Sequence, residues 1–280
     1  MNTLDLYKKV FKLMNALTVL ATVLLFLCFT FSFDASNGYL VSGPSTTVFF
    51  IVYGAGVIVS VASIFLSNEF EYLKTPNETE HRSKMYFTAS ATACALFGAL
   101  VFSLTSSVVD AQSFVLSGIG LLCFGLYVAF TIFLGYKFNV IKLVFLFFSI
   151  AFPVSVGIGN SRNYYHHINS IENVLTVLFC ISFLIYILYE AKRICTGRHS
   201  ELHFPAMLLT SMSGITLSVS YVFFFMLNGT AEGQRFYQMI MIFAISLHIL
   251  FEMNRFIATA APQSKYNKAP VRESQENDNN

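Results

Sequence analysis

The chain has 280 residues, 55% of them apolar and only 11% charged, with a formal net charge of +2 and a mean hydropathy of +0.64. About a quarter of the residues in a soluble domain are charged, so a soluble fold is excluded and an all-α membrane bundle is expected. The five cysteines are an odd number, and Cys28, Cys94, Cys123 and Cys180 fall in apolar stretches while Cys195 does not, so no disulfide framework is implied.

Crossing a hydrocarbon core of about 30 Å takes roughly 20 helical residues at about 1.5 Å each. Eight stretches are about that long: 10–33, 48–66, 85–108, 114–135, 140–158, 171–189, 205–227 and 236–257. The first has a basic lead of Lys8, Lys9 and Lys12 like a signal peptide, but it is too long for one and no A-x-A site precedes Asp34. It reads as a retained anchor. The third carries a small-residue ridge of Ala91, Ala95 and Ala99, and the fifth contains Pro153, which is expected to bend it. The seventh presents Ser211, Gly214, Ser218 and Tyr221 as one stripe. Close helix packing is the expected use of that stripe, with a hydroxyl-lined ligand cavity as the functional alternative. Residues 259–280 are polar, with Tyr266 their one large apolar side chain, and are expected to form a disordered cytoplasmic tail behind a transmembrane domain of residues 1–258.

All but two of the 17 Lys and Arg fall on alternate connections, Arg162 and Arg235 being the two on the other side. Basic residues resist translocation, so both termini are expected in the cytoplasm of a cell membrane, plasma or bacterial cytoplasmic. An even number of spans fits that alternation, and eight is the expected count. The chain contains no Trp, and Tyr39, Tyr72, Tyr86, Tyr136, Tyr164, Tyr165, Tyr189 and Tyr237 supply the interfacial belt at predicted span ends.

Span six closes on Ile187-Leu188-Tyr189-Glu190 with Arg193 three residues on, and span eight closes on Ile249-Leu250-Phe251-Glu252 with Arg255 three residues on. The match suggests tandem two-helix hairpin repeats, all entering from the same side. Residues four apart share a helix face, so His248, Glu252 and Arg255 should stack along span eight, and Tyr186, Glu190 and Arg193 along the equivalent side of span six. His248 is the one titratable side chain near the middle of a predicted span. An intramembrane ionisable group is a functional-site hypothesis by default, and Glu252 is its natural partner. The structural alternative is a helix-to-helix hydrogen bond for His248 and a local ion pair for each Glu and Arg.

Outside the spans, the loop holding Arg162, Tyr164, Tyr165, His166 and His167 is chemically dense and is a candidate for contacts with a polar ligand or headgroup. Adjacent His166 and His167 diverge by about 100° on a helix, so no metal is expected there. Asn169 and Glu172 resemble a helix cap for span six. In the connection 190–204, His199 and His203 are four apart, but Glu201 stands where the H-E-x-x-H protease pattern does not need it, and Pro205 argues against a helix.

No nucleotide-binding, catalytic or metal signature assembles, and no cofactor is expected. Two functional expectations remain. One is a transporter of small molecules or lipids, or a subunit of one, consistent with the repeats, the Ser- and Gly-lined span and the buried His. The other is a non-catalytic sensory or partner-binding membrane module acting through a separate cytosolic or membrane effector. Expected partners are membrane lipids and another membrane or cytosolic subunit, with no nucleic acid.

Overall fold

The computed structural model describes residues 3–34, 39–65, 92, 96, 111–134, 139–162, 171–196, 202–228 and 233–259. Among these the protein is helical apart from one two-residue ladder. Its elements are α1 (Thr3–Phe31), β1 (Phe33–Asp34), β2 (Tyr39–Leu40), α2 (Pro44–Ala62), α3 (Ala111–Leu134), α4 (Asn139–Phe148), α5 (Ala151–Arg162), α6 (Ile171–Thr196), α7 (His203–Asn228) and α8 (Gly233–Thr259).

Five helical segments are long and apolar enough to cross a membrane: Leu6–Phe31, Pro44–Phe65, Asn139–Gly157, Ile171–Thr196 and His203–Phe224. Two shorter apolar segments, Val115–Thr131 and Gln238–Asn254, lie in α3 and α8. The predicted span 85–108 lies outside the described residues except for Thr92 and Leu96, both helical. Large apolar side chains remain exposed on the outer helices, among them Val19 at 64%, Ile51 at 64% and Ile58 at 69%. Such a surface suits lipid better than water, and the chain is a helical membrane protein.

Helix α7 is the hub. Of its apolar window 67% is buried, against 33% for the window in α1 and 28% for that in α2. It packs on α8, α6 and α1 and less extensively on α2, while α3 packs on α4 and α5, and α6 joins the two groups by touching α4 and α5 as well as α7. Small residues make the close approaches. A Cβ built on Gly214 would fall 2.9 Å from Cδ2 of Phe179 and closer still to Oγ of Ser246, so α6 and α8 press against α7 where only glycine fits.

Four short links turn α1 into α2. The ladder pairs Phe33 with Leu40 and Asp34 with Tyr39. The Val41 N–H donates to the Ser32 carbonyl at 2.6 Å, Ser32 and Ser45 hydroxyls meet at 3.1 Å, and the Thr46 hydroxyl donates to the Val41 carbonyl at 2.9 Å. Pro44 opens α2 in the first turn, where its missing N–H has no helical partner to lose.

The predicted fifth span is two helices in line. Proline at 153 has no N–H and its ring crowds the carbonyl four residues back, that of Ser149. The chain tightens instead: the Ile150 N–H donates to the Phe147 carbonyl at 3.1 Å and the Phe152 N–H donates to the Ser149 carbonyl at 3.1 Å, both three residues back. The bend carries no gap, because Gly120 of α3 seats against it, and a Cβ at Gly120 would lie 2.9 Å from Cα of Phe152.

Helix α7 begins at His203, two residues before its predicted start. Pro205 does not block the first turn, because the N–H groups of a first turn have no carbonyl to bond within the helix.

Candidate functional site

Among the described residues, one end of the bundle holds most of the buried charge. Helices α3, α6 and α8 finish there and α1, α4 and α7 begin there, as the contact of Tyr7 with Phe204 at 4.8 Å between ring centroids shows for α1 and α7. Because the helices alternate in direction, residues far apart in sequence arrive at the same depth. Tyr127 comes from α3, Lys142 from α4, Tyr186, Glu190 and Arg193 from α6, His203 from α7 and Glu252 from α8.

Glu190 is the centre of this group and is fully buried. Arg193, one turn further along α6, forks onto it: Nε donates to Oε2 at 2.6 Å and Nη2 donates to Oε1. A planar fork of this kind is the geometry in which a guanidinium binds a carboxylate best. The Tyr127 hydroxyl, fully buried on α3, donates to Glu190 Oε1. His203 Nε2 approaches Glu190 Oε2 to 3.3 Å, and the His203 ring stacks on Tyr186 at 5.5 Å with 18° between planes.

Glu252 is the second carboxylate. The Tyr186 hydroxyl donates to its Oε2 at 2.8 Å, and its Oε1 lies 3.7 Å from Arg193 Nη2. Arg193 is therefore shared, held tightly by Glu190 on its own helix and loosely by Glu252 on the neighbouring one. Lys142, near the start of α4, is also buried at this end of the bundle, 4% exposed. Two carboxylates, one guanidinium and one imidazole thus share a site, with the buried Lys142 at the same end. Such groups are tolerated only when they partner one another.

The two predicted ladders run differently from expectation. Within α6, Glu190 and Arg193 do pair one turn apart, but Tyr186 reaches across to Glu252 rather than along its own helix to Glu190. Glu252 meets Tyr186 and Arg193, both on α6. His248 is buried, 7% exposed, with its ring edge-on to Phe124 of α3 at 5.7 Å. Arg255 lies in the last turn of α8, and its side chain is outside the described residues.

The α7 stripe is filled. Ser211 and Ser218 are buried and donate to their own helix's carbonyls, Leu208 at 3.0 Å and Gly214 at 2.5 Å, and Tyr221 is buried beside them. Arg162 is the last residue of α5, and Tyr164, Tyr165, His166 and His167 lie outside the described residues. Glu172 falls in the first turn of α6, favourably placed at its positive end.

Three members of the site were not singled out from the sequence. Lys142 reads there as an orienting charge, and His203 as half of an unconvincing protease pattern. Tyr127 carried no signal beyond its place four residues before Thr131, the spacing that Tyr186 has to Glu190 and His248 to Glu252. Among the described residues no three His, Cys, Asp or Glu side chains converge as metal ligands. No family model matches the chain, and neither the curated proteins nor the solved structures contain a significant match.

Proposed function

We propose that this is an eight-span protein of a cell membrane, with both termini in the cytoplasm, that moves a small molecule or lipid across the bilayer either alone or as a transporter subunit. The charged cluster is its cytoplasmic gate. The eight-span count is supported by helix direction. Helix α2 leaves the α1 hairpin at the far end and runs toward the charged end, where Ser60 donates to Met14 Sδ at 3.8 Å. Helix α3 starts at the far end again, a direction that supports placing the predicted span 85–108 before it. Leu96 from that stretch is buried, and a Cβ at Gly125 of α3 would lie 2.8 Å from its Cδ1.

The observation that carries the gate reading is the chain Tyr127–Glu190–Arg193–Glu252–Tyr186, which ties α3, α6 and α8 together at one end. Further from that end, the same helices meet through ring edges, Phe124 of α3 with Phe183 of α6 at 5.3 Å and with His248 of α8 at 5.7 Å. Contacts of that kind slide more readily than ion pairs exchange. A helical bundle closed by ionic links at one end and by rings elsewhere is suited to open at the ionic end when those links break.

The test places a single Cys at Ser211, about two turns inside the gate, in a protein whose native cysteines are replaced, and measures labelling by a membrane-impermeant thiol reagent from the cytoplasmic side. Glu252→Gln is expected to raise the rate about tenfold, the change produced by removing about 1.4 kcal/mol from the closed state. Unchanged labelling would remove the gate.

The second reading, a sensory or partner-binding module, draws support from the filled α7 stripe, since a static hub needs no cavity. Native mass spectrometry of gently solubilised protein separates the two. A second polypeptide in fixed ratio supports the module, and a lone chain carrying a defined small molecule or lipid supports translocation.

A further inference from the structure

We propose that the outer face of α1 is a binding site for an anionic glycerophospholipid, with Lys8 and Lys12 holding its phosphate and the apolar side chains behind them receiving an acyl chain. Helix α1 buries Met14, Ala21, Leu25 and Cys28 and leaves its opposite face open. Lys8, Lys9 and Lys12 are exposed at the head of that face. Behind them along the helix, Leu13, Val19, Leu20 and Val23 stay between 47% and 64% exposed. At about 100° per residue, Val19 and Val23 fall within about 20° of the direction of Lys12, so charge and apolar surface form one stripe.

Length and charge select the partner. From Lys12 to Val23 the helix rises about 16 Å, and one leaflet of a hydrocarbon core about 30 Å thick is about 15 Å deep, so the stripe is as long as an acyl chain needs. Two ammoniums one turn apart suit a single phosphate, because each is a compact point charge that requires no fixed angle. Asp5 is the one acidic residue before Asp34. It stands three and four residues before Lys8 and Lys9, the spacings of an in-helix pair, and one carboxylate against three ammoniums leaves a surplus of two. A zwitterionic headgroup brings its own cation and gains little from that surplus, whereas an anionic one is attracted to it. Basic residues ahead of a first span orient it wherever they sit around the helix. Here they share the face of the exposed apolar side chains, which orientation alone does not require. The site involves neither the ionic links of α6 and α8 nor any movement, so it stands or falls separately from translocation.

The experiment is native mass spectrometry of the full-length protein, equilibrated in detergent with equal amounts of dioleoyl phosphatidylglycerol and dioleoyl phosphatidylcholine. Wild type is expected to retain the anionic lipid about tenfold over the zwitterionic one. Lys8→Gln combined with Lys12→Gln should bring the two lipids near parity, while Lys8→Arg combined with Lys12→Arg keeps the preference. Lys265→Gln combined with Lys268→Gln, which removes the same charge near the C-terminus, should leave it unchanged. Equal retention of the two lipids by wild type overturns the proposal. An equal fall in the Lys265 and Lys268 variant also overturns it, because the attraction is then that of any basic protein for anions. So does displacement of the lipid by millimolar inorganic phosphate, which would show a site for the phosphate group alone. Where the paired glutamine variant does not yield folded protein, Lys12→Gln takes its place with an expected fall of about threefold, and an unchanged preference overturns the site.

Discussion

Helix α7 and the charged end of α3, α6 and α8 bury comparable numbers of polar groups, and they do so by opposite means. The hydroxyls of Thr210, Ser211 and Ser218 donate to carbonyls three or four residues back in α7 itself. They are satisfied before any neighbour arrives, and what they offer the bundle is small size. Only a few α7 hydroxyls reach outward, Ser213 to the Tyr53 hydroxyl at 2.8 Å and Ser220 to the Thr22 carbonyl at 2.8 Å. At the charged end nothing of the kind is available to Glu190 or Glu252, because a carboxylate has no proton to give a backbone carbonyl. Its partners must come from other side chains, and most come from other helices. A self-satisfied polar residue lets helices approach, whereas one that needs partners determines which helices meet.

The sharpest way to break that contrast is Glu190→Ala. It leaves Arg193, Tyr127 and His203 without their common acceptor in a buried site, and a loss of about 3–5 kcal/mol is expected, read as a large fall in Tm in detergent. A loss no greater than that of a hydroxyl deletion would erase the distinction. Next comes Gly214→Ala, which tests whether α7 acts by size. Its new methyl meets Phe179 and Ser246, and about 1–3 kcal/mol of destabilisation is expected. Gly54→Ala in α2 is the control, since a Cβ there has no neighbour within 4 Å, and a gain of about 0.5–1 kcal/mol is expected from helix propensity. The smallest effect should be Ser218→Ala, about 0.6 kcal/mol or less, because the lost bond was internal to its helix and the freed carbonyl still has its backbone donor.

Part of the fold is visible in the order of residues, since apolar run length alone locates the described long helices. The Glu190–Arg193 pair is also visible, because its spacing is a property of one helix. What is hidden is everything that crosses between helices. Tyr127 and Tyr186 look alike as aromatic residues near span ends, and only packing shows that each hydroxyl meets a glutamate of another helix. Lys142 looks like an orienting charge, yet its side chain is buried. His203 gained its place from a helix start that Pro205 seemed to forbid. The break in the fifth span was foreshadowed by Pro153, but its filling by Gly120, 33 residues earlier, follows from no local rule.

That break has a consequence for how the chain enters the bilayer. A segment interrupted at its centre, with Lys142 near its start, is a poor candidate to partition into lipid alone, since both the tightened turn and the ammonium need protein around them. Helix α3 precedes it in synthesis and already carries Gly120, the surface that receives the bend. The order of translation thus delivers the receptor before the segment that needs it, and α3 to α5 are expected to leave the insertion machinery as one unit instead of as separate spans.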